Sequence, residues 1–154
     1  MPSVLFVCTA NQCRSPMAEA LFRDYLASRK QLEGWTIGSA GTWGVEDVPA
    51  TRHVQTVMAN RGIDVSAHRS RLVDGSFIYD YNLLLTMERG HKEALQIEFP
   101  RIASRVFLLS EMIGKLFEIS DPIRGPYEEY EATAAELEEL IKDGAPRIFE
   151  LAAK

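Results

Sequence analysis

A continuous apolar run of four residues, Val4, Leu5, Phe6 and Val7, stops at a cysteine, and this stretch constrains the fold more than any other. A run rich in β-branched and aromatic residues, with no polar alternation, reads as a strand buried on both faces. A helical pattern follows almost at once. Pro16 suits a first helical turn, where its missing N–H has no partner to lose, and Ala18, Ala20, Leu21, Tyr25 and Leu26 recur at helical spacing. The loop between strand and helix is therefore short, polar and aimed at a helix N-terminus.

The alternation continues along the chain. The first helix ends between Lys30 and Gly34, residues 35–40 read as a second strand, and residues 41–49 as loop. Pro49 opens a second helix through about Arg61, with Val54, Val57 and Met58 on one face and Gly62 placed to end it. Residues 65–74 are polar and irregular. Residues 82–87 form a third buried strand, followed by a short charged helix over about 88–98, and residues 106–109 form a fourth strand. Pro126 or Tyr127 starts a long final helix to about Leu151, loosened at Gly144 and Pro146. Parallel strands need crossovers of a dozen or more residues, so this order predicts an α/β fold with a parallel sheet covered on both faces. Ligands of doubly wound sheets sit outside the carboxyl ends of the strands at the topological switch point, where the loop after a first strand commonly lies. With 154 residues and 46% hydrophobic content, one compact domain over residues 1–154 is expected.

The loop after the first strand has a ready chemistry. The first N–H groups of a helix lack partners and the helix dipole adds positive potential there, so the loop should bind an anion. Cys8 sits at its mouth, where such potential favours the nucleophilic thiolate. Arg14, six residues on, offers a planar fork that matches phosphate oxygens. The bare spacing is common by chance; the buried strand, the helix start and the Ser15 hydroxyl sharpen it.

Charge narrows the partners. A net charge of −5 and a pI near 5.2 argue against broad binding to nucleic acid or an anionic membrane, and leave proteins or small molecules. Neither a membrane-length apolar run nor a secretory signal is visible, so a cytoplasmic location is expected, and two cysteines five apart fit a reducing compartment. His53 and His91 read as solvent-exposed helix residues rather than metal ligands, because no cluster at ligand spacing accompanies them; no metal or cofactor is expected. The acidic run over residues 128–139 reads as the solvated face of the last helix. Trp35 reads as core, and Trp43 as a site wall or an ordinary surface aromatic.

Cys8, Asn11, Cys13, Arg14, Ser15 and Pro16 together resemble the signature loop of the low-molecular-weight protein tyrosine phosphatases, Cys-x4-Cys-Arg-Ser-Pro directly after the first strand. The resemblance extends through residues 39–42, 62–64, 68–71 and the pair Asp121-Pro122. It implies a three-layer doubly wound sheet of four parallel strands in the order 2-1-3-4, and hydrolysis of a phosphorylated protein through a phosphocysteine, with inorganic phosphate as product. On that likeness Cys8 is the nucleophile, Asp121 the general acid, Arg14 the clamp and Ser15 a donor to the Cys8 sulfur. Thr9, Ala10, Asn11, Gln12 and Cys13 complete the phosphate-binding loop. Asn11, Ser39 and His68 hold the loop in shape, Trp43 and Ile123 wall the substrate, and Cys13 is the redox partner of Cys8.

Phosphotyrosine is the leading substrate on this reading. The chain departs from the tyrosine-directed pattern at Gln12, usually aliphatic there and Thr in phosphoarginine-directed bacterial members, and at Ile123 and Arg124, where many relatives carry aromatics. Protein-arginine phosphatase is the alternative. Arsenate reduction is less favoured, since relatives that perform it relay a disulfide to cysteines further downstream, which this chain lacks. A non-enzymatic phosphate-binding or redox-sensing module is disfavoured by the joint presence of Cys8, Arg14 and Asp121.

Overall fold

The structure, a computed structural model, describes residues 1–154. Strands β1 (Ser3–Cys8), β2 (Thr36–Gly41), β3 (Leu83–Thr86) and β4 (Val106–Leu108) form one parallel sheet in the order β2-β1-β3-β4. Helices α1 (Arg14–Ser28), α2 (Arg52–Ala59), α3 (Arg89–Glu98) and α4 (Tyr127–Ala152) cover it, as expected for the fold class and strand order.

β1 is paired on both edges, with Phe6 beside Ser39 on one side and Leu85 on the other. It is also covered on both faces, which is why its apolar run is unbroken. Val4, Phe6 and Cys8 belong to the larger core, with Met17 and Phe22 of α1, Val57 of α2, and Leu137 and Ile148 of α4. Leu5 and Val7, on the opposite side of the pleat, pack with Leu95 of α3, Ile78, Phe99 and Ile102. All four side chains from Val4 to Val7 are fully buried, worth roughly 1.5–3 kcal/mol each relative to exposure. The chain leaves β1 towards β2 and later returns to β3 on the other side, so the carboxyl end of β1, with Cys8, is the switch point.

Element ends differ from the sequence expectation in several places, α1 for one stopping at Ser28 rather than between Lys30 and Gly34. α2 begins at Arg52 rather than Pro49, because the Thr51 hydroxyl caps it by accepting from the Val54 N–H at 3.3 Å. α4 runs unbroken through Gly144 and Pro146. Gly144 is needed there for close approach: a Cβ would come within 2.8 Å of Met112 Cβ. Pro146 lies on the exposed face, where water can serve the carbonyl its ring leaves unpaired. Trp35 is half-buried against Phe22 and Phe149, at ring-centroid distances of 5.1 and 5.7 Å. The acidic residues of α4 face solvent, apart from the partly buried Glu131, which pairs with Arg61 at 2.7 Å. No helix is long and apolar enough to cross a membrane.

Candidate active site

Residues 9–13 link β1 to α1, and most carbonyls of this loop are tied to the segments around it. Cys8 and Thr9 carbonyls accept from the N–H groups of Thr42 and Trp43, both at 3.0 Å. The Asn11 carbonyl accepts from His68 Nε2 at 2.8 Å, the Gln12 carbonyl from the Thr51 N–H and the Cys13 carbonyl from the Met17 N–H, both at 3.2 Å. Gly41 lets the loop cross β2, since a Cβ there would run into the Thr9 carbonyl oxygen. By contrast, no backbone N–H from Thr9 to Ser15 donates to a protein acceptor. A concave set of such donors at a helix N-terminus is an anion cradle.

Asn11 holds the cradle in shape. It is fully buried with φ +59, a left-handed conformation that Asn tolerates better than most residues. Its Nδ2 donates to Ser15 Oγ at 2.8 Å and to Ser39 Oγ at 2.9 Å, while its Oδ1 accepts from the Arg71 N–H at 3.0 Å. These bonds set the neighbouring hydroxyls. Ser39 Oγ donates to Glu19 Oε1 at 2.7 Å. Ser15 Oγ, already accepting from Asn11, has its own proton left for Cys8 Sγ at 3.0 Å. A hydroxyl donor of this kind stabilises a thiolate, whether attacking or departing.

Arg14 is 1% exposed and held from two sides. Its Nη1 donates to Glu88 Oε2 at 2.5 Å and to the Ile119 carbonyl at 2.7 Å, and Nη2 lies 3.4 Å from Asp121 Oδ2. Its Nε is buried without a protein partner. A donor of that kind in a buried cation calls for an external acceptor, which an anion in the cradle supplies. Asp121 reaches this position because Ile119 N–H is tied to the Met87 carbonyl at 2.9 Å and because Asp121 Oδ1 accepts from the Ile123 N–H at 3.0 Å. That turn leaves Oδ2 for Arg14. The Asp121 side chain is 34% exposed, which leaves it open to exchange protons with a ligand and water.

The structure thus gathers Cys8, Asn11, Ser15, Ser39 and His68 into one bonded set and pairs Arg14 with Asp121 beside it. Trp43 and Ile123 are exposed, at 77% and 40%. The backbone of Trp43 is pinned to the loop through Thr9, and Ile123 sits in the turn of Asp121. The two cysteines are free and buried, and burial pushes the Cys13 thiol up to about 12, so it stays protonated at neutral pH. One expectation fails: His91 is not exposed. It is 5% exposed, with Nε2 2.9 Å from Thr9 Oγ1 and Nδ1 accepting from the Glu88 N–H at 3.1 Å, because the start of α3 folds back onto the loop. Sequence reading also missed Glu88 and Glu19. Glu88 directly follows Met87 at the carboxyl end of β3, the strand beside β1, and that neighbourhood was the available signal. No group of three or more His, Cys, Asp or Glu side chains is placed to share a metal ion.

A cysteine at the mouth of an anion cradle, with a buried arginine in its wall and a carboxylate beside it, on a doubly wound sheet, is an arrangement suited to cysteine-dependent phosphoryl transfer. The family model of the low molecular weight phosphotyrosine protein phosphatase matches residues 3–150. The chain belongs to that family and is a protein phosphatase of this hydrolase class. It is 40% identical over 139 residues, 90% of each chain, to a protein-arginine-phosphatase of Geobacillus stearothermophilus. It is 35% identical over 146 residues, 95% of each chain, to a probable low molecular weight protein-tyrosine-phosphatase, EpsP, of Ralstonia nicotianae. The solved low molecular weight protein tyrosine phosphatase of T. tengcongensis superposes with a TM-score of 0.90 at 34% identity, covering 96% of this chain and 99% of that one.

Proposed function

We propose that this chain, as one phosphatase domain over residues 1–154, hydrolyses phosphotyrosine in a protein substrate through a phosphocysteine intermediate. The observation that carries the reading is the loop itself: every N–H from Thr9 to Ser15 lacks a protein acceptor, while the Arg14 Nε stands buried and unpartnered beside it. Cys8 Sγ attacks phosphorus as the bond to the leaving oxygen breaks, and Asp121 gives that oxygen its proton. The Asp121 carboxylate then takes a proton from water as water attacks phosphorus. The P–S bond breaks towards a thiolate that the Ser15 hydroxyl steadies at 3.0 Å, and inorganic phosphate leaves. Backbone donors and Arg14 stabilise the charge on the equatorial oxygens throughout. Trp43 and Ile123 form the walls for the substrate ring. Cys13 takes no part in transfer; after peroxide converts Cys8 to a sulfenic acid, the Cys13 thiol can condense with it, releasing water and forming a disulfide. The reading places the protein in the cytoplasm, where phosphorylated proteins and reduced cysteines coexist.

Phosphoarginine is the second reading, favoured by the 40% identity to a protein-arginine-phosphatase. Turnover of phosphotyrosine, phosphoarginine and phosphoserine peptides decides between them, with arsenate reduction as a control; a higher kcat/KM on phosphoarginine would replace the first reading by the second. Cys8→Ser tests the chemistry common to both. It should abolish turnover of an aryl phosphate while orthophosphate still binds, and near-normal turnover would sink the mechanism.

A further inference from the structure

His91 has no part in the phosphoryl-transfer scheme, yet it is buried against the first residue of the loop. Hydrogen-bond roles fix its tautomer. The Glu88 backbone N–H can only donate, and it meets Nδ1 at 3.1 Å, so Nδ1 is the unprotonated, accepting nitrogen. The proton of the neutral ring is then on Nε2, which donates to Thr9 Oγ1 at 2.9 Å. Burial and the Arg14 guanidinium both hold the ring below the usual histidine range, so the neutral form prevails at neutral pH.

Thr9 Oγ1 also accepts a longer bond from Arg14 Nη2 at 3.4 Å. With both lone pairs engaged, the hydroxyl has only its own proton left to give, and no protein atom accepts it. Thr9 follows Cys8 directly, and the arginine that touches its oxygen is the clamp of the cradle.

We propose that His91 is a positioning residue that orients the Thr9 hydroxyl as a hydrogen-bond donor to a non-bridging oxygen of the phosphoryl group held by the Cys8 loop. This rests on the phosphatase reading above. It adds one side-chain donor to the backbone donors of the loop, directed by a ring that never touches the substrate.

The test is a double-mutant cycle read by turnover of p-nitrophenyl phosphate and by competitive inhibition with orthophosphate. Thr9→Val should weaken orthophosphate inhibition and lower kcat/KM by roughly tenfold, the loss of one hydrogen bond to a charged group. His91→Phe should do the same, and the double variant should be no worse than either single. Thr9→Ser, which keeps the hydroxyl, should restore inhibition to within about twofold of wild type, and it keeps the test decisive if His91→Phe does not fold. Imidazole 15N shifts of the wild type should show the Nε2–H tautomer at pH 7. An unchanged inhibition constant in Thr9→Val, multiplicative effects in the cycle, or the Nδ1–H tautomer would each overturn the inference. Absence of aryl phosphate turnover in the wild type would instead overturn the phosphatase reading itself, and the inference with it.

Discussion

Replacing Asn11 perturbs the cradle at the residue that fixes its shape, and the cost can be worked from its contacts. Asn11→Ala removes two donated bonds, to Ser15 and Ser39 at 2.8 and 2.9 Å, and one accepted from the Arg71 N–H at 3.0 Å. The serine hydroxyls can rotate to other partners, but the Arg71 N–H cannot, and a buried unsatisfied group costs about 1–3 kcal/mol. The left-handed backbone, φ +59, adds about 1–2 kcal/mol for a residue with a Cβ and no local hydrogen bond. The sum, about 2–5 kcal/mol, corresponds to a Tm lower by roughly 4–20 °C for a domain of this size.

Asn11→Gly separates the two components. It loses the same three bonds but relieves the backbone, so it should be more stable than Asn11→Ala by roughly 0.5–1 kcal/mol. Asn11→Asp keeps the acceptor for Arg71 and turns the donor into a second acceptor. Ser15 should then give its proton to the new carboxylate instead of Cys8, and turnover should fall more than stability does. Urea unfolding and aryl phosphate turnover measure the two effects. An Asn11→Ala variant within about 0.5 kcal/mol of the parent, or a glycine variant less stable than the alanine one, would refute this role of Asn11.

Asp121→Asn should slow turnover most for substrates with poor leaving groups, which need the proton; equal slowing across a series of aryl phosphates would remove Asp121 as the acid. Gly144→Ala should destabilise by about 1–3 kcal/mol, because the new Cβ meets Met112 Cβ at 2.8 Å in a packed interface, and an unchanged urea midpoint would contradict that packing. His91 should make stability fall with acid. Its folded pKa is lowered by burial first and Arg14 second, against the opposing pull of Glu88, Asp121 and Glu118, so its contribution is complete above the unfolded value near 6.5 and is lost as pH falls below it. The drop between about pH 7 and 5 should be shallower in His91→Phe, and parallel pH profiles would refute the assignment.

How far the site could be read from the chain depended on where each group's partners lie in sequence. Cys8, Asn11, Arg14 and Ser15 are within one strand–loop–helix unit, so their convergence follows from local structure, and the chain order of apolar runs placed that unit in a parallel sheet. The strand order and the role of Asp121 came from family likeness, since no local rule links Asp121 to a loop more than a hundred residues earlier. His91 was misread for a physical reason. Its helix is short and charged, and Glu93, Glu98 and Arg89 make it look solvated all round, whereas the Glu88 cap and the close approach to β1 turn one side of its first turn inward. The same approach brings Glu88 onto Arg14. Residues at the carboxyl ends of adjacent parallel strands meet whatever their separation in the chain, so once β1 and β3 are known neighbours, the first polar residues after β3 are the places to look for what supports the loop after β1. Thr9, Glu88 and His91 are one unit by that logic: the end of one strand sets the proton direction at the end of the next.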